Sequence, residues 1–146
     1  MDCFYIDSEI TDKLATQLQG WIDGLEPDTD VTIYFNSNGG GVVAGMAMYD
    51  MIASMPQKTT AKILGMCASA ATYPALACDR VEMQRNATLM IHNVSGGLYG
   101  TLKEIEKDLD YMAELEQRMI AIYAAKALIS QDAIRALVDA TTYMTA

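Results

Sequence analysis

The sequence predicts an α/β fold, and three observations favour it. Segments with the period of strands alternate along the chain with segments that have the period of helices. Two turns rich in small residues each follow a predicted strand and precede a predicted helix, which is where active sites form in open α/β sheets. The length of 146 residues suits one domain, residues 1–146, with a sizeable core.

Strands and helices alternate regularly in the first half of the chain. A short apolar strand at 3–6 precedes a helix at 11–25, which Thr11 can cap and whose apolar side chains share one face. A β-branched and aromatic run at 31–35 then predicts a buried strand, and an almost wholly apolar helix runs from 42 to 55, where Pro56 ends it. The next strand and helix are predicted at 59–64 and 68–77.

Helices dominate the second half of the chain. Two short strands at 81–83 and 88–91 lead into a loop with two glycines. A long helix is predicted at 101–128, because apolar side chains recur there in steps of three and four. Ser130 caps a last short helix that runs to Val138.

Composition excludes several classes of function. The net charge of −9 argues against a nucleic-acid partner, since phosphate binding needs clustered lysine and arginine. No apolar run approaches the roughly 20 residues of a membrane span, and a single histidine argues against a Cys/His metal site. Three cysteines without framework spacing indicate reduced thiols and a cytoplasmic protein. We therefore expect no metal, no cofactor and no membrane contact.

Ser69 is the first candidate for chemistry. It stands in the segment CASAA (67–71), after a predicted strand and at the start of a predicted helix, where small neighbours leave room for a substrate carbonyl. The N–H of Ala70 belongs to the unpaired first turn and can donate to an oxyanion. A serine that only caps the helix fits the same position, so both interpretations stay open. Cys67, two residues before Ser69, is an alternative nucleophile, but a buried structural thiol is the favoured interpretation.

His92 is the only histidine and follows the predicted strand at 88–91. An imidazole at a strand end can act as a general base, although a hydrogen-bonded structural histidine is the alternative. Because Ser69 and His92 both lie at strand ends, together they favour hydrolysis more than either does alone.

Three consecutive glycines, 39–41, follow the strand at 31–35. A phosphate cradle is disfavoured, because the Walker lysine is missing and the spacing is not that of a dinucleotide-binding loop. Glycine lets main-chain N–H groups approach a substrate closely, so the segment can complete an oxyanion hole and pair with an extended peptide. A plain turn is the alternative.

Four segments together resemble the ClpP family, the proteolytic subunits of Clp proteases, within the ClpP/crotonase fold. They are IYFNSNGGGVVAGMAMYDMI, ILGMCASAATYPALA, ATLMIHNVSGG and TTYMTA, and the resemblance covers about residues 4–146. It implies repeated β-β-α units with a long handle helix. It also implies a serine endopeptidase that hydrolyses peptide bonds of unfolded or extended polypeptides.

The resemblance further implies the roles of single residues. Ser69 would be the nucleophile and His92 the base, with the N–H groups of Gly39 and Ala70 as the oxyanion hole. Two segments would bind the peptide as added strands, and their residues would be Gly40, Gly41, Val42, Asn93, Val94 and Ser95. The slot of the catalytic acid holds Thr141, and the nearest carboxylate is Asp139. Either of these two residues, or neither, would then orient His92.

The expected partners also follow from the resemblance. It implies homo-oligomers in stacked rings, and the hydrophobic content of 51% agrees, because excess apolar surface is often covered between subunits. The family's N-terminal loops, which meet an ATP-dependent unfoldase, have no counterpart in this sequence, which argues against that partner. The ClpP-like head maturation proteases of phages share this trait and the YMTA ending.

Two other functions are weighed against a peptidase. A crotonase-type acyl-CoA enzyme would share the fold, but no basic patch for CoA phosphates and no carboxylate pair near the glycines are evident. A catalytically weak or inactive assembly domain is favoured by Thr141 in the slot of the acid.

Overall fold

The computed structural model describes residues 2–146, which form two compact units. The first unit comprises the chain up to Ile91 together with residues 142–146, and the second comprises residues 92–141. Within the described residues, no helix combines the length and the apolar character that crossing a membrane requires.

The first unit contains a six-stranded sheet. Five strands follow the order β1-β2-β3-β5-β6, and β4 also pairs with β3. Every pair is parallel except β5 with β6. The strands are β1 (Asp2–Ile6), β2 (Val31–Ser37), β3 (Thr59–Ala68), β4 (Arg80–Met83), β5 (Thr88–Ile91) and β6 (Thr142–Thr145).

Helices connect the strands of this unit. They are α1 (Asp12–Ile22), α2 (Val42–Ala53) and α3 (Thr72–Ala77), and a single 3-10 turn (Ser69–Ala71) joins β3 to α3. Thr11 caps α1 as predicted, because its hydroxyl accepts a hydrogen bond from the Leu14 N–H at 3.2 Å. The helices α1 and α2 pack together, as do α2 and α3. The core of the unit includes the fully buried side chains of Leu18, Ile33, Phe35, Met48 and Ile63.

The strand β3 changes partners along its length. Its first half, through Ile63, pairs with β4, whereas Met66–Ala68 pairs with β5. At the same point its register against β2 shifts, because Phe35 lies opposite Ile63 but Ser37 lies opposite Cys67. This bulge lies in the last part of β3, a few residues before Ser69.

The second unit contains two helices, α4 (Leu102–Ala127) and α5 (Gln131–Asp139), which pack against each other. Thr101 and Glu104 form a capping box at the start of α4, and the hydrogen bonds from Thr101 hold the pKa of the Glu104 carboxyl below its ordinary value. The Ser130 hydroxyl caps α5, as predicted, by accepting the Ala133 N–H at 3.2 Å.

The predicted α/β class is confirmed, and the differences lie at the ends of elements. Ala68, predicted to begin a helix, is the last residue of β3, because Met66–Ala68 pairs with β5 although small residues favour strands weakly. The first helix ends at Ile22 rather than at residue 25. A turn follows Ile22, in which the Gly24 N–H donates to the Trp21 carbonyl. The strand β6 was not predicted. All three cysteines are free thiols, as expected.

Candidate active site

Ser69 lies at the junction of β3 with the 3-10 turn, in a backbone conformation that few residues adopt. Its φ is +55°, in the left-handed region, which costs a non-glycine residue about 1–2 kcal/mol. Such strain clusters at functional sites. A sharp turn from a strand into a helix carries the nucleophile in the nucleophile elbow of α/β-hydrolases. The serine is partly exposed.

Helix capping does not explain this serine. The N-cap of the 3-10 turn is Ala68 and that of α3 is Ala71, and neither residue forms a side-chain cap bond. The main-chain carbonyl of Ser69 accepts a hydrogen bond from the Thr72 hydroxyl at 2.6 Å. Ser69 therefore stands inside the turn rather than at the capping position that the alternative interpretation requires.

Gly39 packs directly against the serine turn. A Cβ added to Gly39 would lie 2.7 Å from the Ser69 Cβ, 2.7 Å from the Ala68 carbonyl oxygen and 3.1 Å from the Ala70 nitrogen. The φ of Gly39 is +100°, which also favours glycine. Only glycine therefore allows this approach, and the structure brings together three of the predicted residues, Gly39, Ser69 and Ala70.

Two main-chain N–H groups near Ser69 differ in whether they already donate a hydrogen bond. The Gly39 N–H, a predicted oxyanion donor, donates to the Ser37 hydroxyl oxygen at 3.2 Å. That hydroxyl donates in turn to the Ser8 carbonyl at 2.6 Å, and Ser37 is almost fully buried. The Ala70 N–H lies in the first turn after β3, where helix geometry provides no acceptor.

The main-chain N–H and carbonyl of Gly40 are not used in pairing with the neighbouring segment at Ile10, and we call them the open edge of Gly40. Ile10 forms an isolated parallel bridge with Gly40, in which the Ile10 N–H donates to the Gly39 carbonyl at 2.9 Å and the Gly41 N–H donates to the Ile10 carbonyl at 2.8 Å. In such a bridge the N–H and C=O of the central residue point away from the partner strand. Val42, predicted both to begin a helix and to flank an extended peptide, is the first residue of α2. The open edge is therefore that of Gly40.

Cys67 is a structural thiol, as predicted. It is fully buried, and its Sγ donates to the Ala71 carbonyl at 3.4 Å. Burial, with a smaller contribution from Cys78, raises the pKa of the Cys67 thiol to about 12. The thiol is protonated at neutral pH and does not compete with Ser69 as a nucleophile.

The predicted base and the segment after it belong to the second unit. His92 is half-buried and begins the loop that leads to α4. In this loop the Val94 N–H donates to the Glu116 carboxylate at 3.3 Å, and the same carboxylate lies 4.0 Å from the Arg135 guanidinium. The Asn93 side-chain oxygen is buried and has no hydrogen-bond partner within residues 2–146. Ser95 is exposed.

Thr141 and Asp139, the two candidates for the third catalytic position, lie at the end of α5 and are exposed. Thr141 has a φ of +52°, and its N–H donates to the Val138 carbonyl at 3.0 Å. Across residues 2–146, neither the Asp139 carboxylate nor the Thr141 hydroxyl forms a hydrogen bond. The same residues contain no group of three or more His, Cys, Asp and Glu side chains placed to hold a metal ion.

Sequence reasoning missed Ser37, Asn36 and Glu116. Ser37 has a weak local signal, since a serine two residues before a glycine at a strand end can accept the glycine N–H. Asn36 and Glu116 act on residues far away in sequence, the N–H groups of Met66 and Val94. No local pattern reports such pairs.

Comparison with protein families agrees with the geometry. The sequence model of one family, described as Clp protease, matches residues 3–146, nearly the whole chain. The match includes the strand that ends in the glycine loop, the serine turn and the segment of His92. Membership implies a peptidase of the ClpP type, with peptide substrates and oligomeric assembly in general terms. The chain belongs to the Clp protease family.

Proposed function

We propose that this chain is a serine endopeptidase that cleaves extended segments of unfolded polypeptides. The observation that carries the proposal is the left-handed turn of Ser69 at the end of β3, against which Gly39 packs without a side chain. The turn holds a partly exposed serine beside main-chain N–H groups. That combination suits acyl transfer better than a structural role.

In the proposed mechanism the Ser69 Oγ attacks the carbonyl carbon of the scissile peptide bond, and His92 takes the hydroxyl proton. The C–N bond then breaks, and His92 gives that proton to the leaving amine. Water attacks the resulting ester, again with His92 as the base, which releases the acid product and restores the Ser69 hydroxyl.

The oxyanion that forms at the carbonyl oxygen needs donors, and we propose two from the first unit. One is the Ala70 N–H, as the sequence predicted. The second comes from the glycine loop. Gly39 would have to give up its bond to Ser37 in order to donate, whereas Gly40 needs no such exchange, because its N–H points away from the Ile10 strand. We therefore favour Gly40 over Gly39, and the open edge of Gly40 also suits pairing with an extended peptide.

The third catalytic position supports a second candidate function, an assembly domain with little or no activity. The Thr141 hydroxyl accepts no hydrogen bond from another described residue, and a threonine supplies no charge to stabilise an imidazolium. A Ser69–His92 pair with main-chain donors still accelerates hydrolysis when the acid is missing, so we favour the peptidase.

We further propose that the chain assembles into stacked homo-oligomeric rings. Large apolar side chains on and beside α4 are exposed in the isolated chain, among them Leu102, Leu109, Tyr111 and Leu128. Exposed apolar side chains in such number are typical of a surface that another subunit covers. An unfoldase partner has no support of this kind.

Labelling with a fluorophosphonate tests the proposal. We expect one covalent adduct on the peptide that contains Ser69, and hydrolysis of a small peptide ester. Both should be lost in Ser69→Ala and kept in Ser54→Ala, which changes an exposed serine at the end of α2. Intact wild-type protein that resists labelling throughout the range from about pH 6 to 9 would contradict the proposal. Rings without turnover would support the assembly domain.

A further inference from the structure

The strand β3 contains two residues more than β2 at the point where it leads to Ser69. Phe35 pairs with Ile63, and the next pair is Ser37 with Cys67. Between these pairs β2 has only Asn36, whereas β3 has Leu64, Gly65 and Met66. An unshifted register would set Ser37 opposite residue 65, and Gly39 opposite residue 67.

The shift places Ser69 against the glycine loop. Counting two residues on from the pair of Ser37 and Cys67 leads to Gly39 and Ser69, and a Cβ added to Gly39 would lie only 2.7 Å from the Ser69 Cβ. The position of the nucleophile relative to the main-chain donors therefore depends on the bulge in β3. Bulges are common beside active sites because they re-aim a side chain.

The Asn36 side chain fills the bulge. Its Oδ1 accepts the Met66 N–H at 3.1 Å, and a Cβ added to Gly65 would lie 2.5 Å from that same oxygen. At the other end of the bulge the Ile63 carbonyl accepts the Gln84 N–H at 3.0 Å. A main-chain N–H without a partner here would favour closing the bulge or slipping the register.

We propose that Asn36 is a positioning residue for Ser69, because its side-chain carbonyl holds the two extra residues of β3 in the bulge and so fixes the serine against Gly39. The effect on Ser69 rests on the proposed function, whereas the hold on the bulge does not. Asn36 is exposed, so replacing it removes a hydrogen bond without opening a cavity in the core.

Three variants of the full chain test the proposal. Asn36→Ala removes the acceptor, whereas Asn36→Asp keeps an oxygen in its place. Asn86→Ala is the matched control, since Asn86 is an exposed asparagine in the turn between β4 and β5, and its side chain bonds to no other residue of 2–146. The readouts are the fluorophosphonate labelling rate of Ser69, the hydrogen-exchange rate of the Met66 amide and the melting temperature.

We expect Asn36→Ala to be labelled about 10- to 100-fold more slowly, since a misplacement of about 1 Å costs a reaction up to about that factor. The Met66 amide should exchange faster in the same variant. Asn36→Asp should show rates of labelling and of Met66 exchange closer to wild type than Asn36→Ala does at moderate salt, where the added charge is screened. Asn86→Ala should match wild type in both.

Gly65→Ala perturbs the same hydrogen bond from the other side. Its new methyl group would displace the Asn36 oxygen, so labelling should slow as in Asn36→Ala. The double variant should be no slower than Asn36→Ala alone, because the displaced oxygen is already gone. Additive losses in the double variant would contradict the proposed contact, and Gly65→Ala replaces Asn36→Ala as the test if the latter does not fold.

Two further results would overturn the proposal. A Met66 amide that stays protected in Asn36→Ala would show that the side chain does not hold the bulge. Faster Met66 exchange with an unchanged labelling rate would show that the bulge does not position Ser69. If wild-type Ser69 is not labelled at all, the proposed function and the positioning role fail together, and the Met66 exchange rate alone then decides whether Asn36 holds the bulge.

Discussion

Ile91 of β5 lies directly opposite Thr142 of β6, and the two form the last pair of the antiparallel ladder. The next residue on β5's side is His92, and the preceding residue on β6's side is Thr141. Extending the ladder by one step would set the proposed base and the threonine opposite each other. The φ of +52° takes Thr141 out of the strand conformation, so the ladder stops at this point.

We expect Thr141→Asp to raise kcat/KM for a small peptide ester at least about tenfold. A carboxylate in this slot would stabilise the imidazolium of His92, and loss of the aspartate from a complete triad costs about 10⁴-fold. Aspartate also adopts a positive φ more readily than the β-branched threonine, so the backbone should tolerate the change. Steady-state hydrolysis and fluorophosphonate labelling measure the effect.

Asp139→Asn is the control for this substitution. Its rate should equal that of wild type, since the Asp139 carboxylate forms no hydrogen bond to a described residue. A lower rate in Asp139→Asn would assign the orienting role to Asp139. A Thr141→Asp variant that folds normally and reacts no faster would contradict the assignment of the slot.

Gly39→Ala should abolish labelling of Ser69 and lower the free energy of unfolding by more than about 1 kcal/mol. The new Cβ would meet the Ser69 Cβ and the Ala68 carbonyl at 2.7 Å, and alanine is strained at a φ of +100°. Urea unfolding and fluorophosphonate labelling measure the two effects separately.

Gly20→Ala is the matched control for the glycine loop. Gly20 is an exposed residue of α1, and a Cβ added to it would have no neighbouring atom within 4 Å. Alanine should stabilise the helix by about 0.5–1 kcal/mol and leave labelling unchanged. Equal effects of the two substitutions would refute the close approach of Gly39 to the serine turn.

Glu116→Ala should weaken peptide binding without slowing the reaction of a small fluorophosphonate. The carboxylate accepts the Val94 N–H in a segment proposed to flank the peptide, so its loss should loosen that segment and raise KM for long peptides. Glu114→Ala is the control on the same helix, because Glu114 pairs with the exposed Arg118. Equal KM values for both variants would contradict a role of the segment in peptide binding.

The sequence predicted most of the fold because its signals are periodic. The long stripe of α4 and the β-branched run of β2 repeat often enough to be recognised, and Thr11 and Ser130 mark helix starts by a local mechanism. The end of β3 was missed because Gly65, Cys67 and Ala68 favour strands weakly. The strand β6 forms by antiparallel pairing with β5, a contact between residues far apart in sequence that no local pattern reports.

The candidate site likewise contains residues that the sequence predicted and contacts that it did not predict. Ser69, Ala70 and the glycines were recognisable because each follows a strand and precedes a helix, and that order is visible in the sequence. The hydrogen bond from the Gly39 N–H to Ser37 is local and had only a weak signal in the sequence, whereas the hydrogen bond between Asn36 and Met66 depends on sheet register. Register joins residues about 30 positions apart, and single-sequence patterns do not report it.

Only one of the three thiols should react with iodoacetamide in the folded chain at about pH 8. Cys3 is exposed, whereas Cys67 and Cys78 are buried. With a pKa of about 12, the Cys67 thiol is thiolate to only about one part in 10⁴ at that pH, and the thiolate is the reactive form. Mass spectrometry should find one adduct on native protein and three after denaturation. An adduct on Cys67 in native protein would contradict its burial.

The raised pKa of Cys67 also predicts how the free energy of unfolding depends on pH. The pKa of Cys67 is raised from its ordinary value of 9.0 to about 12, so in this range the folded chain keeps a proton that the unfolded chain releases. The stabilising contribution is complete below about pH 9 and is lost as the pH rises towards about 12. Urea unfolding at rising pH should therefore show a shallower loss of stability in Cys67→Ala than in wild type. Cys3→Ala should follow wild type, because Cys3 is exposed. Parallel curves for Cys67→Ala and wild type would mean that the Cys67 thiol does not contribute to the pH dependence.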